Sequence, residues 1–207
     1  MSVVDNVNLP YPMEQYYPYY FIAETFGMNS EHDQEKLEDF VEDVFEKGLC
    51  ADGIIAANRD QVNKTFGLRE NVALGLKPYG HNYQYDVSVP AQKMEELVAD
   101  VRARVAHIPD VIVTSFGHIG DNDIHIHVIA PHASDEVVGA VEPYIYTRVT
   151  ELGGSISSEH GIGAQKAGVL SLNKKQPLLD TMRLLKNTFD PRGILNPNKI
   201  LLQQPES

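Results

Sequence analysis

The segment VIVTSFGHIGDNDIHIHVIA, residues 111–130, decides how this chain folds. Two apolar arms flank Gly120-Asp121-Asn122, a run with turn chemistry, so the segment reads as two strands, 111–118 and 123–130, joined as a hairpin. Side chains alternate along a strand. Asp123, His125, His127 and Ile129 therefore share one face, while Ile124, Ile126 and Val128 share the other and form the core side. A hairpin centred between Asp121 and Asn122 places His118 opposite His125, with Cβ atoms about 5 Å apart. Both imidazoles can then reach one divalent ion, and His127 lies two residues along on the same side.

Two histidines are too few for a catalytic metal, which usually has three protein ligands and an open position. The best third candidate is Glu159 in SISSEHGIG, residues 155–163, where a short strand meets a glycine loop. Its neighbour His160 suits a general base beside the metal. Gly161 and Gly163 let a ligand come close to the backbone. Spacing alone leaves two readings open, a metal site or hydrogen-bonded histidines of a sheet.

Working outward, residues 19–25 (YYFIAET), 52–57 (DGIIAA) and 83–89 (YQYDVSV) read as further strands. Helices are expected at 30–48, with Ser30 as N-cap, and at 59–76, 91–106, 134–152 and 177–189. The order, close to βαβαβαββαβα, predicts an α+β fold. Its sheet is mainly antiparallel, with helices on one face and ferredoxin-like halves. Residues 1–18, rich in Pro and Tyr, resemble a connecting segment ahead of a domain at 19–207.

With 207 residues, 43% of them hydrophobic and 22% charged, the chain can bury a substantial core. A formal net charge of −12 argues against nucleic acid or an anionic membrane as partner. Much of that acidity, from Glu31 to Glu46, reads as the wet side of a helix. The single cysteine, Cys50, suits a reducing compartment. No apolar run reaches the roughly 20 residues of a membrane span, and no targeting segment is visible here. The expected location is the mitochondrial matrix or the cytoplasm.

Four blocks, FGLREN (66–71), YQYDVSVP (83–90), GHIGDNDIHIHV (117–128) with SSEHGIGAQK (157–166), and DPRGILNPNKIL (190–201), occur in the order of a known family. Together they resemble the C-terminal substrate (cap) domain of the FAD-linked D-2-hydroxy-acid dehydrogenases, which act on D-2-hydroxyglutarate or D-lactate. The resemblance implies oxidation of a small D-2-hydroxy acid to the 2-oxo acid, with hydride passing to FAD and on to an electron acceptor. It implies a divalent metal, zinc, on His118, His125 and Glu159, with His160 taking the hydroxyl proton. Arg69 would clamp a substrate carboxylate, and Asn196 would lie near the flavin. Without the family match, Arg69 is a surface arginine of an amphipathic helix and Lys166 a solvated lysine.

Some positions depart from the family pattern. Gln84 stands where a lysine meets the distal carboxylate of the substrate, Ala73 replaces a threonine, His127 replaces an asparagine, and GDND replaces GDGN. Gln84 and His127 remain candidate substrate contacts. Loss of a charge-assisted partner would cost a buried second carboxylate several kcal/mol, on the order of a charged hydrogen bond or more. A shorter acid such as D-lactate would not suffer it. No second domain of comparable size is readable here, so the chain by itself is expected to bind FAD weakly.

Readings of other classes are a non-catalytic protein with an actin-type partner, using the acidic helix as its surface, and a free-standing zinc hydrolase. A homodimer is compatible with each.

Overall fold

Asn29, one residue before the expected cap, starts the first regular element. Its side chain accepts the N–H groups of Glu31 and His32 at the head of α1 (Ser30–Glu46). In the computed structural model, which describes residues 6, 7 and 9–202, the chain divides into two compact units, Met1–Pro78 and Tyr79–Ser207. The first unit continues with α2 (Arg59–Glu70) and α3 (Val72–Leu76). The expected single helix at 59–76 breaks at Asn71, whose side chain donates back to the Gly67 carbonyl at 2.7 Å. The expected apolar stripe of α1 is only partly covered, and no residue of that helix is buried.

The strands expected at 19–25 and 52–57 are not formed. Tyr19, Tyr20 and Phe21 are 63%, 56% and 65% exposed. Aromatic and β-branched residues favour strands by packing against cross-strand neighbours, and that preference has no effect where no partner strand exists.

The second unit holds the described sheet: β1 (His81–Ser88), β2 (Ile112–Phe116) and β3 (Asp123–Ala130). β3 lies in the middle, antiparallel to both neighbours. β1 and β2 are therefore parallel, and α4 (Met94–Val105) connects them around the inserted β3. That is a split βαβ unit, and α5 (Asp135–Glu151) extends it. The strand expected at 155–158 shrinks to one antiparallel bridge, Ser88 to Ser155. Ser155 then occupies the fourth-strand position beside β1, giving one ferredoxin-like half in this unit. A helical turn that the sequence reading lacked, α6 (Leu170–Asn173), precedes α7 (Gln176–Phe189).

The alternation along β3 sorts the layers. Ile124, Ile126 and Val128 join Tyr85 and Val87 of β1 in one continuous core. That core also takes in Leu97, Val98, Val101 and Val105 of α4 and Val137, Val141, Ile145 and Val149 of α5. The opposite face of β3 is also buried, although it carries Asp123, His125 and His127.

The hairpin register differs from expectation by two residues. His118 pairs by backbone hydrogen bonds with Asp123, at 3.1 Å in each direction, and His125 lies opposite Phe116. The cause is the loop: a 3-10 turn at Ile119–Asp121 closes with Asn122 in the left-handed conformation, φ 58°. A slip of two preserves side-chain parity, so His118 still shares a face with His125. Gly117 makes the close approach possible, because a Cβ there would collide with the backbone oxygen of Asp123. Nothing lies within 4 Å of a Cβ built on Gly120. Gly117→Ala should accordingly destabilise the chain by about 1–3 kcal/mol in chemical denaturation, with Gly120→Ala nearly neutral.

Candidate metal centre

Strand pairing sets the first two positions of the site. On its buried polar face β3 presents His125 opposite Asp86 of β1 and His127 opposite Gln84. The loop after Ser155 then turns over this face. The loop is held there by one carboxylate, Asp86, which is 2% exposed. Asp86 accepts the Ser157 hydroxyl at 2.8 Å and the backbone N–H groups of Ser158, Glu159 and His160 at 3.2, 2.9 and 3.2 Å. Lys166, 7% exposed, closes the arrangement. Its Nζ donates to the Asp86 backbone oxygen at 2.6 Å and to Oδ2 at 3.1 Å. Burial alone would raise the Asp86 carboxyl, but the Glu159 N–H, the Ser157 hydroxyl and Lys166 outweigh it and hold the group well below the usual carboxylate range.

Fixed in this way, Glu159 reaches both expected histidines. Its Oε1 lies 3.7 Å from His118 Nε2, and its Oε2 lies 3.4 Å from His125 Nε2. His160 stacks on His125 with ring centroids 5.2 Å apart and planes 25° from parallel. His125, Glu159 and His160 each offer a ligand atom within 4.8 Å of the others, as do His118, Asp123 and Glu159. His118 and Glu159 are half-exposed, whereas His125 is buried.

The residues present fit a divalent metal. Among the described residues both carboxylate oxygens of Asp123 are buried without a hydrogen-bond partner, a state that normally costs stability unless a ligand satisfies the group. Donors bonded to zinc at about 2.0–2.2 Å in a tetrahedron stand roughly 3.3–3.6 Å from one another. The separations here, 3.3 Å from His125 Nε2 to Asp123 Oδ2, 3.4 Å from His125 Nε2 to Glu159 Oε2 and 3.7 Å from His118 Nε2 to Glu159 Oε1, lie near that spacing. Asp86 would orient His125 from behind, with Oδ1 4.0 Å from Nδ1.

The other expected residues have different surroundings. His127 is fully buried, bonded through Nδ1 to the Asn82 side chain and stacked on Phe116 at 4.9 Å. Burial, reinforced by His125, pushes its pKa down to about 4, so it is neutral at physiological pH. Gln84 is exposed on the same sheet face. Asn196 is exposed at φ 49° in the loop after α7. Asp190 ties that loop by accepting the N–H groups of Ile194 and Leu195 at 3.1 and 2.9 Å. Arg69 belongs to the first unit, where it pairs with Glu70 at 3.2 Å.

Sequence reasoning missed Asp86 and Asp123 as site residues. Alternation had placed Asp123 on the histidine face without giving it a role, whereas Asp86 joins that face only through the pairing of β1 with β3, which sets it opposite His125. Asp86→Asn should cost about 3–5 kcal/mol at neutral pH, because it leaves Lys166 buried without its counter-charge. The folded pKa of Asp86 is depressed, so its contribution is full above the unfolded value of about 4 and is lost as pH falls below it. Urea titrations of both proteins should show a stability gap that narrows in acid. A gap independent of pH would contradict this role.

Comparison with known proteins agrees with the four sequence blocks. The family model described as FAD linked oxidases, C-terminal domain, matches residues 2–200. The chain is 38% identical over 199 residues to the mitochondrial D-2-hydroxyglutarate dehydrogenase of Rattus norvegicus, covering 96% of this chain and 37% of that protein. It is 39% identical over 184 residues to that of Bos taurus, covering 89% and 34%. It is 32% identical over 202 residues to the D-2-hydroxyglutarate–pyruvate transhydrogenase of Saccharomyces cerevisiae, covering 94% and 41%. The chain thus spans little more than a third of the length of these relatives. It belongs to the family of FAD linked oxidase C-terminal domains.

Proposed function

We propose that this chain is the substrate- and metal-binding part of an FAD-dependent D-2-hydroxy-acid dehydrogenase. The observation that carries the reading is Glu159 standing between His118 and His125, with His160 stacked alongside. Relatives named as dehydrogenases and a transhydrogenase of D-2-hydroxyglutarate support the reaction class. Their mitochondrial names support a mitochondrial location, and no helix of the described residues is long and apolar enough to cross a membrane.

In this reading His118, His125 and Glu159 hold a divalent ion, zinc in the first instance. When bound, the ion supplies Lewis acidity toward the hydroxyl and carboxylate of the substrate. His160, exposed to solvent and held through its own N–H by Asp86, takes the hydroxyl proton. FAD, when bound, would supply the acceptor for the hydride that leaves the α-carbon as the 2-oxo acid forms. Asn196, the residue proposed to lie near the flavin, is exposed. Arg69 is the proposed carboxylate clamp, for which its planar fork is suited.

The substrate's far end meets a face without a free positive charge on β1 and β3. Gln84 is uncharged, His127 is neutral, and Lys166 is engaged by Asp86. This favours a short acid such as D-lactate over a dicarboxylate, unless another cation is supplied.

Elemental analysis of the purified chain should find about one zinc per chain, lost in His125→Ala. The full-length protein, assayed with an artificial electron acceptor, should oxidise a D-2-hydroxy acid, with D-lactate preferred over D-2-hydroxyglutarate. His160→Ala should lower kcat by about 10²–10⁴-fold, the usual range for a general base. A full-length protein that binds FAD and metal yet oxidises neither acid would refute the proposal.

A further inference from the structure

Asp123 is 1% exposed, and neither of its carboxylate oxygens has a hydrogen-bond partner among the described residues. A buried, uncompensated carboxylate is among the costliest groups a fold can carry. Its surroundings identify what would compensate it. Oδ2 lies 3.3 Å from His125 Nε2, and Asp123, His118 and Glu159 offer ligand atoms within 4.8 Å of one another. Asp123 is therefore near both histidines and Glu159. The backbone imposes this position, because Asp123 is the hairpin residue paired with His118 and stands two residues before His125 on the same face.

Resting on the metal reading above, we propose that Asp123 is itself a metal ligand, giving a four-donor site of two imidazoles and two carboxylates: His118, His125, Glu159 and Asp123. The charges agree. Two carboxylates balance a divalent cation, and both imidazoles bind in the neutral form. A competing position deeper in the fold, among Asp86, Asp123 and His125, also has donors within 4.8 Å. It is disfavoured because Asp86 is already saturated by Lys166, a hydroxyl and three backbone N–H groups. Asp123 has no such donors, so the ion belongs on its side of the His125 ring, toward Glu159. A fourth protein ligand also means that a substrate oxygen would enter as a fifth donor, from the side where His118 and Glu159 are exposed.

The probe is Zn²⁺ itself, titrated into the metal-free chain against a chromogenic chelator, for the wild type, Asp123→Asn and His125→Ala. Asp123→Asn keeps the side chain's size and removes its charge. It should weaken zinc binding at least tenfold, on the order expected for loss of a ligand or its close support. It should leave the melting temperature of the metal-free chain unchanged or higher, since neither carboxylate oxygen has a hydrogen-bond partner to lose. A merely structural aspartate would lower it. A crystal structure of the zinc-loaded wild type supplies a second measurement independent of any variant's folding. It should place zinc about 2.0–2.2 Å from an Asp123 oxygen. Zinc bound as tightly by Asp123→Asn as by wild type, or an ion more than 3 Å from Asp123, overturns this assignment and leaves the three-donor reading intact. No zinc binding by the wild type overturns both.

Discussion

The site depends on the Asp86 carboxylate and the donors gathered around it. One buried anion fixes three consecutive backbone N–H groups, a serine hydroxyl and a lysine ammonium. Three adjacent peptides of the 158–160 loop are thereby oriented together, which is how Glu159 comes over the sheet toward His118 and His125. Side-chain rotamers alone could not achieve this, because Glu159 and His160 are themselves exposed. The desolvation cost of burying Asp86 is offset by five donors, one of them charged, and the same donors make the loop's position cooperative with the strand. Packing, charge and site geometry meet in one residue.

That arrangement explains why the sheet can be buried on both faces. The core face follows the ordinary rule, with Val and Ile packed on two amphipathic helices. The other face of β3 carries an aspartate and two histidines, which a loop can cover only if their polar atoms find partners. His127 does so in part through Asn82 and by stacking on Phe116. Its neutrality follows from burial, and a neutral imidazole is cheaper to keep there than a charged one.

Much of this was legible in residues 111–130. Alternation alone identifies the core face and the histidine face, and these stand because a register error of two residues leaves parity unchanged. The hairpin partner of His118 was not legible, since it turns on Asn122 adopting a left-handed conformation. Nor could propensity reveal that residues 19–25 and 52–57 lack partner strands, because pairing is a property of the whole fold. Glu159 and His160 were named from their motif, but the means of holding them was hidden. Asp86 is more than 70 positions away in sequence, and nothing local marks it as different from any other polar residue of a half-buried strand.

The unpaired polar atoms then carry the functional argument. A fold that satisfies Asp86 with five donors has the means to satisfy Asp123 as well. Yet both carboxylate oxygens of Asp123 are buried without hydrogen-bond partners among the described residues. Left bare, those groups would cost several kcal/mol, on the order of a domain's whole net stability. They lie on the side of the sheet where Glu159 and His118 open to solvent, close to the spacing of donors around a metal ion. His127 Nε2 on the same face also lacks a hydrogen-bond partner, but Asp123 has imidazole and carboxylate ligand atoms gathered around it, which is the donor chemistry of a metal site.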